Sequence, residues 1–400
     1  MLAAVKSDLE KYYYDPTFRG MSVPARFKEA EEKIKQATSI GQAFGIIAQV
    51  LLDLDDSHTF FIPPSRPFRT DYGWQMQQMQ MIGDVCHVIA VKPGSDADAK
   101  GLKAGDVVYT VDGYGVERSN IWRLHYLYYS LRPKPGMRVV VQLPGGNQKQ
   151  MDVIAKVKQG KAVYELRDIG DLIRESENED RLHRHRYYEF GDDLMIWKMP
   201  QFDLDDKGVD DMIDKARKRK ALILDLRGNG GGAVPTLQRL VGSVFDRDIK
   251  IADEKARKET KPQLAKTRGD RSFKGKLVVL IDSDSGSAAE VFARVVQLEK
   301  RGTVLGDRSA GAVMESQHES HQAGSDTVVF YSVSVTHADL IMTDGKSLEH
   351  DGVIPDELLL PSAADIAAKR DPVLSRAAAV VGFNLPPEKA GTLFPIEWRK

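Results

Sequence analysis

The chain has 400 residues, 42% of them hydrophobic and 29% charged, with 57 Lys and Arg against 58 Asp and Glu. That length exceeds what one hydrophobic core organises and predicts two or three domains, and the cancelling charges remove the electrostatic basis for a nucleic-acid or anionic-membrane partner. A single cysteine, Cys86, excludes an intramolecular disulfide and a cysteine metal cluster, and its setting, VCHVIAV, predicts a small buried core residue.

Residues 1–66 read as helical. Leu2, Val5, Leu9 and Tyr12 recur at three- and four-residue steps, and ATSIGQAFGIIAQVLLDL continues the pattern. The first fifteen residues hold no uninterrupted apolar core of signal-peptide length, and no run approaches a membrane span. The compartment stays open: cytoplasm, or periplasm or exterior if an export signal has been removed. The helical pattern stops at LDDSHTFFIPPSRP, where two prolines and polar residues force an extended exit.

Between residues 68 and 157 short β-rich runs (CHVIAVKP, DVVYTVDG, RVVVQLPG) alternate with glycine and proline turns, and one helical stretch, NIWRLHYLYYSL, lies among them. The stretch VKPGSDADAKGLKAGDVVYTVDG, with turn glycines at Gly101, Gly105 and Gly113, resembles a PDZ domain. That resemblance implies peptide capture by strand addition, with the peptide-edge strand near Gly73 to Met81; the alternative is a β-rich spacer. Residues 158–190 are charge-dense and read as a solvated linker or hairpin. There His183 and His185 alternate with arginines that would repel a metal cation.

From residue 191 onward apolar strands (LMIWKMP, ALILDLRG, KLVVLIDSD, TVLGDRS) alternate with amphipathic helices, which predicts an α/β layer around a largely parallel sheet. DTVVFYSVSVTHADLIM reads as a long strand or hairpin. The cluster Asp203, Asp205, Asp206 lacks the ligand spacing of a calcium loop and reads as a helix cap. His318 and His321 share a three-residue spacing that fits one helix face, but no third ligand is evident and the surroundings read as a loop. No metal or cofactor site is assigned.

Two strand ends carry chemistry. In LVVLIDSDSGSAAEVFARVV a buried strand turns through Ser285 and Gly286 into a helix opening at Ser287, where a hydroxyl would sit beside unpaired N–H groups and the positive end of the helix. Acyl transfer needs that arrangement, but so does plain capping, with Glu290 completing a capping box. In ALILDLRGNGGGAVPT another strand ends in Gly230, Gly231 and Gly232, whose backbone can bend around a small anionic centre. Neither the P-loop nor the dinucleotide spacing fits.

Taken in order, DLRGNGGG, VVLIDSDSGSAAE, VLGDRSAGAVME and the closing DGKSLEHDGVIPD resemble the tail-specific (C-terminal processing) protease family, whose pattern runs roughly "DLRGNPGG … VLVDxxSASASE … VVGExTFGKG". The resemblance implies a multidomain α+β/α/β protein: a helical N-terminal segment (1–66), an inserted PDZ domain (68–157), a linker (158–190) and an α/β, crotonase-like serine protease core (191–400) with a mostly parallel sheet. It also implies a serine peptidase acting on polypeptide substrates through an acyl-enzyme, with Ser287 as nucleophile and the N–H groups of Gly231 and Ala288 as oxyanion donors. Many members use a lysine in "FGKG", and Ala312 stands at that position. The branch to which the tricorn core protease belongs instead uses a Ser-His pair, matched here by Ser57 and His58, with a glutamate behind the serine. Glu349 is the first choice for that acid and Glu315 the second, while His350 competes with His58 as base. An inactive peptide-binding protein of the same fold and an esterase are the rival readings.

Overall fold

A computed structural model describes residues 1–64, 66, 68–74, 79–143, 146–159, 184–324 and 328–398. Most of the expected linker and part of the expected peptide-edge strand, including His183 and residues 75–78, lie outside the described residues. Three helices, Leu2–Tyr12, Val23–Lys35 and Ile40–Leu52, form the N-terminal segment, and strand β1 (Phe60–Ile62) follows them. Their starts are locally encoded. Pro24 lies in the first turn of the second helix, where no partner exists for its missing N–H, and Ser39 Oγ caps the third through Gln42 N–H.

The middle of the chain folds on its own sheet. Strands β2 (Phe68–Asp71), β3 (Met79–Ile82), β4 (Val85–Val88), β5 (Val107–Val111), β6 (Tyr114–Gly115), β7 (Gly136–Gln142), β8 (Gln148–Ile154) and β9 (Lys156–Gln159) occur in chain order. The sheet runs β3-β4-β5-β7-β8 with β6 on β5, and β2 pairs β9 as a separate ribbon. Met79, Met81, Cys86, Val108, Val139 and Val153 fill its core. Gly105, at φ +94°, allows a close approach: a Cβ there would lie 2.6 Å from the Ala363 carbonyl. The helical stretch forms as a short helix, Ile121–His125, that widens into a π-turn, Tyr126–Leu131.

The last part holds β10 (Arg186–Phe190), β11 (Leu194–Lys198), β12 (Ala221–Asp225), β13 (Ile249–Ala256), β14 (Thr260–Ala265), β15 (Lys276–Ile281), β16 (Thr303–Gly306), β17 (Met314–Ala323), β18 (Val329–Met342) and β19 (Glu357–Leu358). One sheet runs β10-β11-β12-β15-β16-β19, parallel throughout except for β10. Every residue of β12 is buried, as a strand covered on both faces requires. Met195, Trp197, Leu222 and Leu224 meet the helices Asp206–Ala216, Val234–Val244 and Ala288–Leu298, while Leu194, Ile196 and Ile223 meet Pro372–Val381. Asp205 caps the first of these helices through Gly208 N–H, as expected.

A second sheet, β1-β18-β13-β14 with β17 on β18, is antiparallel and was only half legible. The expected long strand is β18, and its partner β17 is the MESQHESHQA stretch that reads as a loop in sequence. Every position of β17 after Met314 is half-buried or exposed, so it carries almost no apolar signal. The helix-face spacing of His318 and His321 is therefore corrected: they lie three apart on a strand and point to opposite faces. Tyr331, Val333 and Val335 of β18 pack beneath the N-terminal helices, which fuses that segment to the second sheet.

Candidate active site

Strand β15 ends at Ile281, and six residues later the chain enters the helix Ala288–Leu298 through Ser287, held at φ +52° and ψ −120°. A side-chain-bearing residue there stores strain, and a capping serine takes an extended φ instead. The neighbouring serines are spoken for: Ser283 Oγ donates to the Met81 carbonyl at 2.7 Å and Ser285 Oγ to the Leu226 carbonyl at 2.8 Å. Ser287 Oγ faces Glu290 N–H in a capping-box relation without a regular hydrogen bond, so its hydroxyl is the uncommitted one.

Glu290 does far more than close a capping box. Its buried carboxylate accepts from Ser287 N–H (3.0 Å), Ser309 Oγ (2.6 Å), Gly311 N–H (2.7 Å) and Ala312 N–H (3.0 Å), and burial pushes its pKa up to about 7. Ala312, at the family's lysine position, works through its backbone, since its carbonyl accepts Ser287 N–H at 2.9 Å. Glu290→Ala would strand three buried donors, Ser309 Oγ and the N–H groups of Gly311 and Ala312, at about 1–3 kcal/mol each before relaxation, while Ser287 N–H keeps the Ala312 carbonyl. Urea unfolding of that variant is expected to show a loss of about 3 kcal/mol or more; a near-neutral result would mean that water replaces the carboxylate.

The glycine loop backs directly onto the serine. Gly231, at φ +100°, passes so close that a Cβ would lie 2.6 Å from Ser287 Cβ. Its N–H, expected as an oxyanion donor, donates to Asn229 Oδ1 at 2.8 Å. Among the described residues, the N–H groups of Gly230, Gly232 and Ala288 have no acceptor. Buried Asn229 also accepts Gly286 N–H through its carbonyl and donates Nδ2 to the Met199 carbonyl, tying the two loops together. An Asn two residues before a glycine is an Asx-turn signature, so this contact of Gly231 has a trace in the sequence.

The N-terminal segment delivers the imidazole. Ser57 Oγ lies 2.7 Å from His58 Nδ1 and 2.8 Å from Glu349 Oε2, and Ser57 N–H donates to Glu349 Oε1 at 2.8 Å. Val313 N–H, at 2.9 Å, is the third donor on that carboxylate. Because a carboxylate can only accept, the Ser57 hydroxyl donates to Glu349 and accepts from His58. Nδ1 therefore carries the proton and Nε2 the free lone pair. Burial holds the His58 pKa below its usual value, so the ring is neutral at neutral pH. Burial also raises Glu349, with the Ser57 and Val313 donors opposing it. His58 and Ser287 form no direct hydrogen bond, but a chain of contacts joins them: His58, Ser57, Glu349, Val313, then the adjoining Ala312 carbonyl to Ser287 N–H.

Asp56, unassigned in sequence, holds this loop: it is buried and accepts His58 N–H (3.0 Å), Tyr13 Oη (3.0 Å) and Thr336 Oγ1. Ser334 Oγ donates to the His58 carbonyl at 2.6 Å. Glu315 stands elsewhere, accepting Gln263 Nε2 at 2.6 Å, with its pKa pushed up to about 7 by burial and by Glu254. His350 is half exposed, with Nε2 3.1 Å from the Asp55 carbonyl and 4.0 Å from Glu349 Oε1.

Residues 194–359 match the model of peptidase family S41. The C-terminal processing peptidase of the Tetradesmus obliquus chloroplast is 25% identical over 370 residues, covering 88% of this chain and 75% of that protein. The tail-specific protease of Haemophilus influenzae is 25% identical over 283 residues, covering 66% of this chain but only 38% of its own length. Among solved structures, a photosystem II D1 C-terminal processing protease superposes over 98% of both chains with a TM-score of 0.53 at 21% identity, which is a likeness of fold. Over residues 194–359 the chain matches peptidase family S41, and it is similar to peptidases named for tail-specific and C-terminal processing.

Proposed function

We propose that the protein is a serine endopeptidase in which Ser287 attacks the scissile carbonyl, His58 Nε2 takes the serine proton and then gives it to the leaving amine, and water releases the acyl group. Glu349, acting through Ser57, keeps Nδ1 protonated and steadies the imidazolium that forms, which extends the logic of the serine triad by one hydroxyl. The oxyanion would meet Ala288 N–H and the positive end of the helix Ala288–Leu298, with Gly230 or Gly232 as second donor. Ala312 leaves no lysine for the role it has in many relatives.

The observation that carries the reading is the hydrogen-bonded Glu349–Ser57–His58 relay, joined through Val313 and Ala312 to a strained serine whose hydroxyl is uncommitted. A fluorophosphonate probe tests it. Mass spectrometry should find the adduct on Ser287 at neutral pH, and the label should fail to form in His58→Ala. Absence of labelling in the wild-type chain would favour an inactive peptide-binding relative. Labelling with turnover of esters but not of peptides would favour an esterase.

Residues 68–157 are proposed to act as a PDZ domain that captures or gates polypeptide substrates, including C-terminal segments. Three features support this. Gly101, Gly105 and Gly113 take positive φ at the turns where the pattern wants them. Among the described residues β3 pairs with β4 alone, so one edge of the sheet is open to an added strand. The β3–β4 hairpin also rests on the nucleophile loops: the Met81 carbonyl accepts Ser283 Oγ, Gly83 N–H donates to Asp307 Oδ2 at 2.8 Å, and Arg118 bridges Asp307 and the Gly83 carbonyl.

A further inference from the structure

Glu315, which the relay does not use, is one corner of a second cluster. One side-chain atom each from Glu254 on β13, Glu315 on β17 and His337 on β18 lies within 4.8 Å of the others, and His337 Nδ1 is 4.0 Å from Glu254 Oε1. Three strands of one sheet supply the three groups. His337 reaches its place through a bulge: Glu315 is opposite Ala338 and Ser316 opposite Thr336, so His337 is the extra residue. A fourth group comes from β14. Gln263 is only 6% exposed, and its Nε2 donates to Glu315 Oε1 at 2.6 Å. Its amide oxygen, which shares a carbon with Nε2 and so sits beside the same carboxylate, is buried without a hydrogen-bond partner. Exchanging the two amide atoms would not repair this, because the oxygen would then face a carboxylate.

The charge is equally unbalanced. Two carboxylates lie together, and among the described residues no Lys or Arg forms an ion pair with either. Lys261 is opposite Glu254 in the ladder, but its Nζ pairs with Glu259. Two carboxylates, an imidazole and an orphan amide oxygen are the donor set of a divalent transition cation such as Zn²⁺, Co²⁺ or Mn²⁺, whose charge would cancel that of the two glutamates. We propose that Glu254, Glu315, His337 and the Gln263 amide oxygen form a binding site for such a cation. A cation there would clamp β13, β14 and β17 to β18, the strand whose Ser334 and Thr336 hold the His58 carbonyl and Asp56. The inference does not depend on the peptidase chemistry.

The test titrates the full chain, stripped with chelator, with Co²⁺ followed by calorimetry and visible absorption. One equivalent per chain with a d–d band is expected. His337→Gln and Glu315→Gln should each weaken binding by at least about tenfold, while His321→Gln, on the same sheet but paired with Asp8, should not. Zn²⁺ should raise the melting temperature of the wild type and leave that of His337→Gln unchanged. Absence of saturable uptake, or uptake equal in both ligand variants, overturns the proposal. If either variant loses its native circular dichroism, Glu254→Gln, on a side chain 30% exposed, replaces it under the same criterion.

Discussion

Ser287→Ala is expected to lower kcat/KM for peptide hydrolysis by roughly ten-thousandfold or more, because without the hydroxyl no acyl-enzyme forms and only the binding site and oxyanion donors still assist water. The same change should shift unfolding stability by no more than about 0.5 kcal/mol. The hydroxyl makes no regular hydrogen bond, and alanine meets the same strain at φ +52° that serine does. Serine as a cap predicts the reverse pattern, a loss of about 1 kcal/mol with turnover retained. Steady-state kinetics and urea unfolding on one preparation separate the two. Retained turnover would end the assignment.

What could be read from the residues follows where the apolar signal is strong. Strands covered on both faces, such as Ala221–Asp225 and Lys276–Ile281, announce themselves as unbroken runs, and the glycine loop and helix start beyond them are local punctuation. The second sheet lacked that signal. Of the six residues of β14 only Gln263 and Ala265 are buried, and β17 alternates polar with polar. A strand that gains its place mainly by pairing leaves little trace in hydrophobicity. The site divides in the same way. Ser287, Ser57, His58 and Glu349 came from motif order, whereas Glu290 and Asn229 matter because loops distant in sequence converge on them, and such convergence has no local period. The Gly231 contact with Asn229 went unread for a related reason. Three successive glycines fix that a backbone can turn closely, but not which amide the neighbouring Asn229 will occupy.

His58→Ala should cost nearly as much turnover as Ser287→Ala, since members of a catalytic unit fail together rather than additively. The pH profile then tells the base from a bystander. Catalysis needs neutral imidazole, so kcat/KM should climb as pH rises through the His58 pKa and then level. Burial disfavours the imidazolium, which puts that acid limb below the usual value of 6.5. Glu349→Gln removes the negative charge that steadies the imidazolium through Ser57. It should therefore move the limb to still lower pH and reduce kcat by roughly a hundredfold to ten-thousandfold. A residue that merely shaped the loop would lower the plateau without moving the limb. If the limb stays in place in Glu349→Gln, the carboxylate anchors Ser57 N–H and Val313 N–H and takes no part in proton transfer. A limb that persists in His58→Ala would hand the base to another group, with His350, 4.0 Å from the same carboxylate, the first to substitute.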